Sequence, residues 1–135
     1  MDILDIIDKV IDINKQCSKD PHDINDLEVN LVVTDTAGNT ETFGFSDAAA
    51  WRGVYAEPCL FAGVNHSLRD LIRELSLVSS GIEFNGWKGG RFSYGPHTQL
   101  NFEHDHGNYS GDGYFEEVMH NPETNTIDLF ITKLK

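Results

Sequence analysis

Two short segments of this sequence combine basic, aromatic and glycine residues in a way that suits anion binding. They are "AAAWRGVYAEP", residues 48–58, and "FNGWKGGRF", residues 84–92. An arginine fork binds phosphate through two hydrogen bonds, and glycine lets backbone N–H groups approach a ligand closely. Aromatic rings stack on a base, worth about 1–3 kcal/mol per base in nucleic-acid binders. The predicted ligand-binding residues are Trp51, Arg52, Gly53, Tyr55, Phe84, Trp87, Lys88, Gly89, Gly90, Arg91 and Phe92.

Each segment also has an ordinary structural interpretation. Glycine-rich turns between strands often carry a basic residue into solvent, and aromatic residues beside a turn usually belong to the core. Arg52 can also pair with Glu57, five residues further on. Short motifs of this kind have a high rate of false matches. The shared composition of the two segments favours binding more than either segment does alone.

The distribution of positive charge favours a small anion over a polymer. The chain has 22 acidic and 10 basic residues and a formal net charge of −12. No basic residue occurs at positions 20–51 or 92–132, so Arg52, Lys88 and Arg91 belong to a basic stretch of an acidic chain. Because an acidic body repels nucleic acid and anionic membranes at long range, direct nucleic-acid binding is not expected.

The segment "EHDH", residues 103–106, is the alternative candidate for chemistry. In a strand His104 and His106 share one face, and two imidazoles at that spacing can bind a divalent metal ion. A third ligand would have to come from His97 or His120. A complete site of this kind would permit hydrolysis of a phosphate ester. A solvated strand end is the simpler interpretation, so we expect no metal or other cofactor.

The periodicity of the chain predicts the elements that position these residues. Residues 2–16 have isoleucine and valine at helical spacing, and Ser67 caps a second helix that ends near Gly81. Residues 27–35 alternate as a strand does, and strands and turns follow from residue 82. We therefore predict a single α+β domain over residues 1–135, an antiparallel sheet with the N-terminal helix and one central helix packed on one face.

Cysteine content and hydropathy indicate the compartment. Cys17 and Cys59 have no CxxC spacing, and no apolar run approaches the roughly 18 residues of a membrane span. Cys59 lies in the apolar run "PCLFAG" and is expected to be a small buried hydrophobic residue rather than a nucleophile. We expect a cytoplasmic protein without a membrane partner.

The two glycine-rich segments also carry a family resemblance. "WRGVYAEPCLFA" followed by "FNGWKGGRF" resembles a family of small phage-encoded proteins related to the anti-Thoeris sponges, which sequester a cyclic ADP-ribose isomer and leave it uncleaved. The resemblance covers residues 50–94, about a third of the chain, and the chain does not match the pattern after Tyr94. The positions that it carries over are Trp51, Arg52, Tyr55, Trp87, Lys88, Gly89 and Gly90.

The resemblance implies a non-catalytic phage anti-defence protein that acts in the host cell cytoplasm and holds a small cyclic nucleotide. Such sponges often build their pocket between subunits, so a homo-oligomer is expected, with the apolar face of the 2–16 helix as its contact. Two alternatives remain. The net charge of −12 suits an acidic inhibitor of a host restriction or CRISPR enzyme, and the histidine cluster suits a metal-dependent nucleotide hydrolase.

Overall fold

A computed structural model of the chain describes residues 1–50, 58–85, 89–104 and 113–134. It contains an N-terminal helix and a central helix together with a mostly antiparallel sheet, which confirms the predicted α+β class. In chain order the elements are α1 (Ile3–Cys17), β1 (Glu28–Thr34), β2 (Thr40–Ala50), β3 (Pro58–Gly63), α2 (Leu68–Val78), β4 (Phe84–Asn85), β5 (Arg91–Phe92), β6 (Asn101–Glu103), β7 (Gly113–Asn121) and β8 (Thr126–Lys133).

The larger sheet closes on itself as a barrel in the order β1-β2-β3-β6-β7-β8. Each half of the barrel is an antiparallel meander, β1-β2-β3 in one case and β6-β7-β8 in the other. Two parallel pairings, β3 with β6 and β8 with β1, join the halves. Because the sheet is closed, both helices pack against a barrel rather than on one face of an open sheet.

Helix α1 forms where its apolar periodicity predicts it. The Asp2 side chain accepts a hydrogen bond from the Asp5 backbone N–H (2.7 Å), and Asp5 reciprocates, which completes a capping box. Ile3, Ile6 and Val10 are each 0% exposed because they pack into the core of their own chain. These three residues of the apolar face are therefore not available as the oligomer contact that the sequence suggested.

After β3 the chain crosses over β2 at two glycines, Gly44 and Gly63. On one side Phe45 pairs with Ala62 of β3, and on the other its backbone exchanges two hydrogen bonds of 2.9 Å with Asn65. His66 then bonds to Val29 of β1, so residues 65–66 lie between β2 and β1. A Cβ at Gly63 would lie 2.6 Å from the Phe45 backbone, so this crossing requires glycine.

Helix α2 starts directly after this crossing. The Ser67 side chain caps it by accepting a hydrogen bond from the Asp70 N–H (3.2 Å), as predicted. Its buried stripe of Leu68, Leu71, Leu75 and Val78 joins the core, and the helix packs mainly on β2. The Ala48 backbone N–H donates to Glu74 (3.2 Å), which fixes the end of β2 to the helix.

The apolar core includes Cys59, which is 2% exposed, as its sequence context predicted. No helix within the described ranges is both long enough and apolar enough to cross a bilayer.

A buried polar cluster surrounds Asp128 on β8. The carboxylate is 6% exposed and accepts hydrogen bonds from Asn30 (3.3 Å), Asn121 (3.2 Å) and Thr126 (2.8 Å). It thereby connects the side chains of β1, β7 and β8 across the parallel pairing that closes the barrel.

We expect Asp128→Ala to lower the free energy of unfolding by about 2 kcal/mol, because it leaves three donors without their acceptor. Urea denaturation of the variant measures this loss. Glu123→Ala, in the exposed turn between β7 and β8, is the matched control and should leave the midpoint unchanged. Equal midpoints for Asp128→Ala and the wild type would contradict a structural role for the cluster.

Asp26 fixes the connection between α1 and β1. Its Oδ2 atom accepts hydrogen bonds from the Ser18 hydroxyl (2.6 Å) and the Lys19 backbone N–H (2.8 Å). These bonds, the one from Ser18 first, lower the pKa of the Asp26 carboxyl below its ordinary 3.8. The carboxylate form is therefore favoured in the folded state.

The lowered pKa of Asp26 predicts that the folded protein is less stable in acid. A lowered folded-state pKa gives stability that is fully present above the unfolded pKa and is lost as the pH falls through the folded value. We expect the melting temperature to decrease when the pH is lowered below about 4. Asp26→Asn removes one carboxylate that contributes to this stability. The variant should therefore melt at a lower temperature than the wild type at pH 7, and the difference between the two melting temperatures should be smaller at pH 3. A gap that is constant across this range would contradict the assignment.

Candidate functional site

The second glycine-rich segment forms a short hairpin after α2. In it β4 and β5 pair with Phe84 opposite Phe92 and Asn85 opposite Arg91. Gly89 has φ +86°, a conformation that L side chains rarely adopt, and a Cβ there would meet nothing within 4 Å. Gly89 therefore lies at an open position where its backbone can be approached.

The described aromatic residues of the hairpin have structural contacts. Phe84 is half-buried, packs against the core, and its ring centroid lies 6.1 Å from that of Tyr94. The Phe92 ring lies over Gly90, where an added Cβ would come within 3.3 Å of its Cζ atom. Phe84 thus anchors the hairpin, and Gly90 makes room for a neighbouring ring. Both contacts are of the kind that the structural interpretation of the segment predicts.

Arg91 is the described cation of the hairpin. Its side chain is 74% exposed and lies 3.6 Å from Glu83, which is 66% exposed. An ion pair between two such exposed side chains contributes little, typically under about 1 kcal/mol. A phosphate can therefore replace Glu83 as the partner of Arg91 at small cost.

The remaining predicted residues of both segments lie outside the described part of the chain: Trp51, Arg52, Gly53, Tyr55, Trp87 and Lys88. The structure does place the stems from which both segments extend. Ala50 pairs with Pro58 at the base of the first segment, and Asn85 pairs with Arg91 at the base of the second.

Helix α2 supports both stems. The first is fixed to it through the hydrogen bond from Ala48 to Glu74, two residues before β2 ends. The second follows its C-terminal end, where the Gly81 N–H donates to the Tyr94 carbonyl (3.0 Å) and closes the base of the hairpin. Helix α2 thus bonds to the stem of the first segment and leads through Gly81 into the stem of the second.

Helix α2 also carries positive charge. Arg69 and Arg73 are exposed on it, and Arg73 pairs with Asp70 at 2.9 Å. Between positions 20 and 132 of the sequence, Arg69 and Arg73 lie on α2, and Arg91 lies on the hairpin that follows it. The other two basic residues, Arg52 and Lys88, belong to the two glycine-rich segments. The basic stretch of the sequence thus corresponds to α2 and to the two segments that are connected to it.

The histidine cluster does not form a metal site within the described ranges. His104 is exposed after β6, and its ring meets the edge of Phe43 with centroids 4.9 Å apart. His97 bonds to Asp2 (3.2 Å) and His120 bonds to Asn125 (2.9 Å), so neither proposed third ligand joins His104. In the described part of the chain no group of three potential ligands could hold a metal ion, and His106 lies outside it.

Sequence analysis missed the burial of Glu103. This residue is 0% exposed on β6, opposite Phe61 of β3 and two pairs along from Cys59. A carboxyl group is rarely enclosed in this way unless it is paired. The sequence predicted a solvated strand end here, and the one signal for burial was the apolar run of β3, which needs apolar or buried neighbours on both of its faces.

Comparison with known proteins identifies no relative: no family model, no curated protein and no solved structure matches the chain.

Proposed function

We propose that this protein binds and sequesters a small phosphate-bearing nucleotide without cleaving it. The observation that carries the proposal is that α2 bonds to the stem of the first glycine-rich segment through Ala48 and Glu74 and is followed in the chain by the stem of the second, whose base Gly81 and Tyr94 close. A rigid helix between two ligand-binding loops reduces the entropy that is lost when the loops close on a ligand.

Charge supports a small anion as the ligand. Arg91 is exposed and weakly paired, and Arg52 and Lys88 belong to the segments on the two stems. A diphosphate can accept hydrogen bonds from several such donors at once. The net charge of −12 opposes long polyanions, which would extend past this basic stretch onto an acidic surface.

The contacts of the described aromatic residues reduce the number of candidates for base stacking. Phe84 already packs against the core, and the ring of Phe92 already lies over Gly90. We therefore assign base stacking to Trp51, Tyr55 and Trp87, which are also positions that the family resemblance carries over. Among the cyclic nucleotides, that resemblance favours a cyclic ADP-ribose isomer and a role in phage evasion of a host defence.

A homo-oligomeric sponge would have to assemble through a surface other than the buried apolar face of α1. Leu77 and Ile82, 52% and 41% exposed, flank the end of α2 and the start of the hairpin. We propose this apolar surface beside the ligand-binding segments as the subunit contact. Light scattering of the wild type and of Leu77→Glu measures it, and equal masses for the two would contradict it.

A thermal-shift screen against cyclic ADP-ribose isomers, cyclic dinucleotides and linear nucleotides tests the binding function. A ligand at 100 times its dissociation constant adds about 2.7 kcal/mol to the free energy of unfolding. Chromatography of the supernatant after heat release then identifies what was bound. An intact ligand supports sequestration, whereas a cleaved one would establish a hydrolase.

If no nucleotide changes the melting temperature, the proposal fails. Salt-sensitive binding to a basic host enzyme, unaffected by nucleotides, would then favour the acidic inhibitor.

A further inference from the structure

The barrel consists of two halves that have the same order of elements. The first half, residues 2–63, runs α1-β1-β2-β3, and the second half, residues 67–132, runs α2-β6-β7-β8 with the hairpin β4-β5 inserted after its helix. Exchanging the halves leaves the strand order of the closed barrel unchanged, because β3 pairs with β6 as β8 pairs with β1. The helices follow the same relation, since α2 packs on β2 and α1 packs on β7. The topology is therefore two-fold symmetric.

The register of the parallel pairings shows which residues correspond. Leu31 of β1 pairs with Leu129 of β8, and Phe102 of β6 pairs with Leu60 of β3. Leu31 therefore corresponds to Phe102, and Leu60 corresponds to Leu129. All four side chains are buried in the core, so the correspondence also preserves which face of each strand is covered.

The antiparallel pairings give the same correspondence independently. Both β2-β3 and β7-β8 are interrupted by a bulge, which places one extra residue on the middle strand of each half. The bulges lie at the same place in the two ladders. The pairs before them are Phe45–Ala62 and Phe115–Ile131, and the pairs after them include Ala48–Leu60 and Val118–Leu129.

The starts of the two helices match as well. Ser67, the N-cap of α2, forms an isolated antiparallel bridge with Glu28 at the start of β1. Asp2, the N-cap of α1, forms the same kind of bridge with Gln99, just before β6. Glu28 and Gln99 precede Leu31 and its counterpart by the same number of residues, so the bridges agree with the parallel register.

The sequence retains a repeat once these registers align it. In the helices the buried residues Ile3, Ile6 and Val10 correspond to Leu68, Leu71 and Leu75, and all six are 0% exposed. Identical residues occur in the helix and in each of the three strands of the unit. They are Asp5 and Asp70, Ile7 and Ile72, Asn30 and Asn101, Phe45 and Phe115, Leu60 and Leu129, and Phe61 and Phe130.

The halves differ where the chain crosses β2. Gly44 and Gly63 pair at the crossing, and a Cβ on them would lie 2.5 Å and 2.6 Å from backbone atoms. Their counterparts are Tyr114 and Thr132, which also pair but carry side chains. The second half therefore cannot make the same crossing, and β8 continues beside β7.

We propose that the domain is an internal duplication of one α-β-β-β unit, so that the chain is a fused two-fold dimer of that unit. A single unit would leave two strand edges open, one at each parallel pairing, and open edges favour association with another chain. Two units cover both edges by using the same surfaces twice, as a two-fold dimer does. The inference is independent of the nucleotide proposal, because it rests on strand pairing and not on any ligand contact.

A circular permutant that exchanges the halves tests the inference. It begins at Ser67, joins Lys135 to Met1 through Gly-Gly, and ends at His66. Gly63 and Ser67 are four residues apart, so their Cα atoms are at most about 14 Å apart. If the halves are equivalent, the counterparts of these two residues are equally close, and the join spans them easily. We expect the permutant to have the circular dichroism spectrum of the wild type and to unfold in one cooperative transition.

A permutant with the same join, opened in the β1-β2 turn between Gly38 and Asn39, is the matched control because it leaves the crossing intact. A folded control beside an unfolded Ser67 permutant would show that the halves are not interchangeable. Failure of both would show that the join cannot span the distance that equivalence requires. Either result would overturn the inference.

Exchange of a turn tests the equivalence without moving the chain ends. Residues 51–57 are replaced by Asn-Pro-Glu-Thr-Asn-Thr, the sequence of residues 121–126. The corresponding stem pairs are Ala50–Pro58 and His120–Ile127. On equivalent stems the graft extends the ladder by one pair, so the variant should melt at least about 4 °C above one with Gly-Ser-Gly-Ser-Gly-Ser in the same place. Equal melting temperatures would mean that the two stems differ, and would contradict the duplication.

Discussion

Gly63→Ala should lower the free energy of unfolding by about 3 kcal/mol, near the upper end of the usual cost of overpacking. The added Cβ would lie 2.6 Å from the Phe45 carbonyl carbon and oxygen and 2.7 Å from the Ser46 nitrogen. These are backbone atoms of β2, which also pairs with β1 and contacts α2, so they cannot move independently. For a chain of this length the melting temperature should fall by about 12 °C, which calorimetry measures.

Gly95→Ala is the matched control for this variant. Gly95 lies in the connection that leads to β6, and a Cβ there would meet nothing within 4 Å. The same chemical change should therefore alter the melting temperature by less than about 2 °C. Equal losses at Gly63 and Gly95 could not come from the unfolded chain, where alanine lowers the entropy and so stabilises the folded state, and would mean that the loss does not depend on the backbone contact at Gly63. The tight crossing of β2 would then not be the cause.

This crossing illustrates which parts of the fold the sequence predicts. Both helices could be identified, since the apolar stripe of α1 and the Ser67 cap of α2 are local signals. Barrel closure could not, because it depends on two parallel pairings between strands distant in the sequence. A glycine within a strand indicates close approach of another backbone, but it does not identify that backbone.

In the candidate site too, local signals could be predicted from the sequence, whereas contacts between elements could not. Strands and turns were predicted from residue 82, where the structure has β4 and β5, and of the predicted cations of this segment it describes Arg91. The contacts of Phe84 and Phe92 could not be foreseen, because a stacking ring and a core ring have the same sequence signature. The enclosure of Glu103 also depends on pairing with β3, since alternation within β6 alone predicts only that it faces away from Phe102.

Arg91→Ala should weaken nucleotide binding about 10–100-fold, equivalent to about 1.4–2.7 kcal/mol. The guanidinium of Arg91 is 74% exposed, and its ion pair within the described part of the chain is a weak contact of 3.6 Å with Glu83. Its removal costs the folded protein little, so the melting temperature without ligand should change by less than about 2 °C. Calorimetric titration with whichever nucleotide stabilises the wild type measures the loss.

Three further variants show whether the loss is specific to the proposed site. Arg69→Ala removes the same charge from an exposed position on α2, outside both segments, and should reduce affinity by less than about threefold through long-range electrostatics alone. Glu83→Gln should strengthen binding slightly, because it releases Arg91 from its competing partner. Arg52→Ala should match Arg91→Ala, since both are assigned to the same phosphates. If Arg69→Ala and Arg91→Ala weaken binding equally, the ligand responds to overall charge, and a site built from the two segments is excluded.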